Sequence, residues 1–96
     1  MLGDSLIQGF DWDKGNIGKN WLKHGVIDNE CEEAFFDSHR KINKDAFHSG
    51  QEERFLLFGK TTQDRLLCIA FTTRHNRIRV ISARGAHRKE KILYEK

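Results

Sequence analysis

A chain of 96 residues with 38% hydrophobic and 32% charged side chains has room for one domain and one modest core. No apolar run approaches the ~20 residues a membrane span needs, and MLGDSLIQGF lacks the basic start and long apolar stretch of a secretory leader. Residues 1–53 hold 6 Lys and Arg against 11 Asp and Glu, whereas residues 54–96 hold 11 against 3, so the net +3 conceals a −5/+8 split that points to a polyanionic partner for the second half.

Seven Phe and two Trp exclude a disordered tail, and no repeat or low-complexity tract interrupts the chain. Phe10 and Trp12 alternate with Asp11 and Asp13, which predicts a short strand. Asp13 is placed to cap a helix from about Lys14 to His24, with Ile17, Trp21 and Leu22 as its apolar stripe and Gly25 as its stop. Asp28 is expected to cap a second helix to about Asp37, acidic in its first turns, with Cys31, Ala34 and Phe35 buried. Arg40–Lys44 can form a short edge strand, and His48-Ser49-Gly50 reads as a loop.

From Arg54 the hydrophobic period changes to two. Arg54–Lys60 reads as a strand, Thr61–Arg65 as a turn, and Leu66–Thr73 as a central strand buried on both faces. Arg74-His75-Asn76 makes a tight connection with Asn76 left-handed. In Arg77–Ala83, Ile78, Val80 and Ser82 share one face, and Arg77, Arg79 and Ile81 the other. His87–Lys96 has helical spacing, with Ile92 and Leu93 as anchors and Glu90 and Tyr94 stacked at i, i+4. The sum is α+β: two N-terminal helices, a twisted antiparallel sheet with helices against one face, and a C-terminal helix.

A one-sided sheet leaves its second face free for a ligand. Arg77 and Arg79 fall on one face about 7 Å apart, a spacing that suits two phosphates of a nucleic-acid strand. Arg84 lies at the strand end, and Arg54 and Arg74 can approach across the hairpins. Guanidinium forks bind phosphate bidentately and stay charged at any working pH; the alternative is arginines paired with the acidic helix. RNA cleavage without a metal needs a base for the 2′-hydroxyl, a cation for the phosphorane and an acid for the leaving oxygen. His24, Lys23 and Tyr94, and after them His75 and His87, are the proton-transfer candidates. No CxxC, HxxH or HExxH pattern suggests a metal or other cofactor, and no GxSxG or Walker-type loop is present. Cys31 and Cys68, isolated from each other, fit a reduced cytoplasmic protein.

Together these segments resemble the BrnT toxin family. Phe10-Asp11-Trp12-Asp13, Asn20 and Lys23-His24-Gly25 are similar to its opening, and Glu32–Asp37 to its next helix. Glu52, Arg54, Gly59, Phe71-Thr72-Thr73-Arg74, Arg79, Ile81-Ser82-Ala83-Arg84, Ala86, Glu90 and Tyr94 follow its C-terminal pattern. The likeness covers about residues 10–95; residues 1–9 extend beyond it, and Gly85 and His87 depart from it.

The resemblance implies a single RelE-like domain over residues 10–96, acting as a growth-arresting endoribonuclease. It implies a BrnA-type antitoxin with a ribbon-helix-helix DNA-binding domain, in a 2:2 complex that represses its own operon and touches operator DNA only through the antitoxin. It also implies Arg79 and Arg84 as phosphate and transition-state ligands, with Lys23, His24 and Tyr94 as proton-transfer partners; Arg54, Arg74 and Arg77, placed by the strand pattern, are the expected RNA contacts. That places the site where the first helix ends against the sheet. The alternative function is a non-catalytic module that holds RNA or a protein on its basic face.

Overall fold

The structure, a computed structural model, describes residues 8–96; most of the 1–9 extension therefore lies outside the described residues. Its elements are α1 (Lys19–His24), α2 (Asp28–Phe35), β1 (Lys41–Lys44), β2 (Phe55–Lys60), β3 (Leu66–Arg74), β4 (Arg77–Gly85) and α3 (Arg88–Glu95). The strands form one antiparallel sheet in the order β1-β2-β3-β4. The α+β class and the order of elements from α1 onward are those expected, whereas the short strand expected over Phe10–Asp13 is reduced to a single bridge between Phe10 and Ile78.

The main core lies between α2 and one sheet face. Val26, Cys31, Ala34 and Phe35 pack on Leu57, Leu67, Ile69, Phe71, Ile78, Val80 and Ala83. Phe71 is fully buried at its centre, and burial of such a side chain contributes roughly 2–3 kcal/mol. Phe35 meets it edge-on at 4.9 Å and Phe55 stacks on it at 5.4 Å. Phe10 extends the cluster, and the Trp12 indole N–H donates to Glu32 at 2.7 Å, fastening the N-terminal segment to α2.

Several local expectations are corrected. The first helix begins at Lys19, not Lys14. Asp13 instead closes a turn by accepting from the Gly15 N–H, and Gly18 then takes a left-handed φ of 71° that an α-helix cannot continue through. The expected stripe faces outward: Ile17, Trp21 and Leu22 are exposed, and Asn20 is the buried residue of α1. Asp28 is the first residue of α2 rather than its cap; Glu30 accepts the Ile27 N–H. In α3 the anchor is Tyr94, while Ile92 and Leu93 are exposed. Tyr94 packs with Phe58 and Cys68 on the sheet face opposite α2, so the helices do not share one face.

The largest correction concerns β4. Its register slips at Ala70/Phe71: Phe71 pairs with Val80 but Ala70 pairs with Ser82, leaving Ile81 as an extra residue. This bulge reverses the alternation beyond it. Ala83, not Ser82, joins the core, and Arg84 emerges on the same face as Arg79.

The outer edge of β4 is closed by the N-terminal segment. Backbone bonds join Gln8, Gly9 and Asp11 to Asn76 and Ile78. Two buried asparagines then continue the ladder: Asn16 Nδ2 donates to the Val80 carbonyl, and Asn20 Oδ1 accepts from the Ala83 N–H. These bonds satisfy an edge that would otherwise offer free backbone groups for pairing.

Candidate functional site

Beyond Tyr94 and α3, the face opposite α2 carries no helix. Ala70 and Cys68 of β3 and Leu56 of β2 form the floor of a groove of about 430 Å³. Arg54 and Arg84 stand on its sides with Ser82 and Ile81, and Asp45, Phe47 and His48 border it from the β1–β2 connection. A second groove of about 210 Å³ adjoins it, lined by Thr72, Arg74, Arg79 and Glu52. Arg54 and Ile81 border both. Strand register sets this layout, placing Arg84 beside Cys68 and Arg79 beside Thr72.

Most of these arginines already hold carboxylates. Arg79 donates to Asp13 at 3.0 Å and lies 3.5 Å from Asp11. That bond holds the Asp13 carboxyl below its ordinary range. Arg74 grips Glu52 through Nε and Nη2, and its guanidinium, with help from Arg54 and Arg79, lowers the Glu52 carboxyl. Arg84 forms a bidentate pair with Glu90 at 2.7 and 2.8 Å, which lowers that carboxyl to about 2. Among the described residues Arg54 makes no ion pair. Arg65 pairs with the acidic second helix through Glu30. Much of the −5/+8 split is thus resolved locally, and Arg54 is left as the unmatched cation where the grooves meet.

The remaining candidates are elsewhere. Arg77 lines neither groove; its guanidinium lies beside Gly9. Lys23 and His24 end α1, both exposed and outside both grooves. His75 sits in the β3–β4 turn beside Asn76, both left-handed, and His87 precedes α3. Tyr94 donates to Asp37 Oδ2 at 2.5 Å and has Lys60 Nζ 5.6 Å from its ring centre. Burial and the Asp37 carboxylate push this phenol up to about 12. Burial alone would raise the Asp37 carboxyl, but hydrogen bonds from Tyr94, Lys60 N–H and His39 N–H outweigh it and lower it. The clefts that Tyr94 borders contain Lys60 and His39 but none of the arginines singled out in the sequence. Cys68 is no nucleophile, because burial pushes its thiol up to about 12.

Sequence reasoning missed His48 and Asp45, whose side chains meet at 2.8 Å beside Arg54 and Arg84. The legible signal was their i, i+3 spacing in a polar connection between strands. Among the described residues no three His, Cys, Asp or Glu side chains gather to hold a metal ion. No helix among them is long and apolar enough to cross a membrane.

Residues 12–90 match a family model described as the ribonuclease toxin, BrnT, of type II toxin–antitoxin systems. No curated protein matches the chain.

Proposed function

The chain belongs to the BrnT family of ribonuclease toxins of type II toxin–antitoxin systems, and from that premise we propose that RNA is bound and cut on the part of the sheet face opposite α2 that α3 leaves open. The supporting observation is Arg54, unpaired where two grooves meet, with Arg74, Arg79 and Arg84 along the same face. A nucleic-acid strand laid across the grooves places one phosphate at Arg54 and Arg84, and a neighbouring phosphate at Arg74 and Arg79. The first pair supplies the positive charge that a pentacoordinate phosphorane needs. The second pair binds its phosphate by exchanging one set of anionic partners, Glu52, Asp11 and Asp13, for another.

In this reading cleavage is metal-independent transesterification, leaving a 2′,3′-cyclic phosphate. Lys23, His24 and Tyr94 border neither groove, so the proposed machinery is narrowed to the arginines and the groups beside them. The family implies an antitoxin partner. We assign that role to a BrnA-type ribbon-helix-helix protein that covers the basic face in a 2:2 complex and brings it to operator DNA. Toxin and target RNA then meet in the cytoplasm.

The purified protein is expected to cut single-stranded RNA in EDTA, with fragments ending in 2′,3′-cyclic phosphate. RNA that is bound in a salt-sensitive manner but keeps intact ends would favour the non-catalytic module instead.

A further inference from the structure

The arginines hold charge but move no protons, and the groove they line contains one side chain suited to that task. The geometry points to His48, oriented by Asp45, as the proton-transfer group of the site; this deepens, and rests on, the reading of the face as an RNA-cleaving one.

The β1–β2 connection is fastened to the sheet beside Arg54. The Asp45 N–H donates to the Arg54 carbonyl at 2.8 Å. Ser49 Oγ donates to the Asp45 carbonyl at 2.7 Å and accepts from the Arg54 N–H at 3.0 Å. Asp45 is therefore fixed relative to Arg54, and its side chain is 13% exposed. One of its oxygens accepts the His48 N–H, and the other meets His48 Nδ1 at 2.8 Å. A carboxylate can only accept, so Nδ1 carries a proton, and in the neutral ring the free lone pair is then the one on Nε2. The imidazole is 68% exposed and borders the groove that holds Arg54 and Arg84. Its ring neighbour is Phe47, whose centre is 6.5 Å away and which is itself 96% exposed. An uncovered aromatic beside a phosphate site is a platform on which a base can stack.

The chemistry balances on these groups. His48 Nε2 takes the proton of the 2′-hydroxyl as the 2′-oxygen bonds to phosphorus. Arg54 and Arg84 offset the charge of the phosphorane. The P–O5′ bond breaks, the 5′-oxygen takes a proton from water, and His48 returns its own to solvent. Asp45 touches no reacting atom and is a positioning residue.

The test is single-turnover cleavage of a short RNA, with RNA affinity measured in parallel, for wild type, His48→Ala, Asp45→Asn and Phe47→Ala. His48→Ala is expected to slow cleavage about 100-fold with affinity held within about 2-fold, and added imidazole to restore at least about ten-fold of the loss. Asp45→Asn slows cleavage without imidazole rescue, and Phe47→Ala weakens affinity more than rate. Cleavage by His48→Ala at near the wild-type rate, or a loss that imidazole leaves untouched, overturns the assignment while leaving the arginine face standing. A wild-type protein that binds RNA without cutting it overturns both.

Discussion

Arg54→Ala is expected to slow RNA cleavage about 100-fold, the scale of losing one preorganised charge donor at a transition state. Its melting temperature is expected to stay within about 2 °C of wild type, as for a substitution that breaks no buried partner. Position explains the first half: Arg54 borders both grooves. Pairing explains the second, since no carboxylate is orphaned when it goes. The other arginines lack this separation of effects. Removing Arg84 strands Glu90, which is only 16% exposed, and removing Arg79 leaves Asp11 and Asp13, in the segment that covers the β4 edge, without their cation. Arg54→Lys keeps the charge but not the planar fork, and its cleavage rate should fall between the two. Single-turnover kinetics and thermal melts on the same preparations check both halves.

Gly59→Ala is expected to cost about 3 kcal/mol, the upper range for overpacking a core. In a domain of this size that lowers the melting temperature by about 15 °C. The glycine is needed for space. A Cβ at residue 59 would stand 2.4 Å from the Ala34 carbonyl oxygen and 3.1 Å from its carbon. Both contacts are backbone, and rotamers cannot relieve them. α2 would have to lift from β2, opening the core where Ala34 and Leu57 are fully buried. At Gly50 a Cβ would meet nothing within 4 Å, so Gly50→Ala should leave the melt within about 2 °C of wild type. Gly59 thus marks a close approach of α2 to the sheet, and thermal melts of the two variants decide it.

The legible parts of the fold were those set by local pattern. Period-two alternation placed β2 and the first half of β4, a nearly continuous apolar run placed β3, and the His75-Asn76 turn followed from residue type. What escaped depends on pairing across the chain. The bulge at Ile81 arises from register between β3 and β4, so strict alternation put Ser82 rather than Ala83 on the core face. The apolar stripe of α1 looked like a buried face, yet the helix meets the sheet through Asn20, whose amide completes a strand edge 63 residues away. Ile92 and Leu93 outranked Tyr94 on hydrophobicity, but only Tyr94 reaches both Phe58 and the Asp37 carboxylate. The arginine face was visible as composition, whereas its carboxylate partners Asp13, Glu52 and Glu90 became visible only in three dimensions.

The central claim is that RNA lies on the part of the sheet face opposite α2 that α3 leaves open. Titration of a 2′-O-methyl RNA oligonucleotide, which cannot undergo transesterification, into ¹⁵N-labelled protein tests it directly. The account predicts amide shifts at Arg54, Leu56, Cys68, Ala70 and Ile81–Arg84, with His48 moving alongside them. Shifts confined to α1 around Lys23 and His24, or to the Tyr94–Asp37 cleft, with the groove amides unmoved, would contradict it.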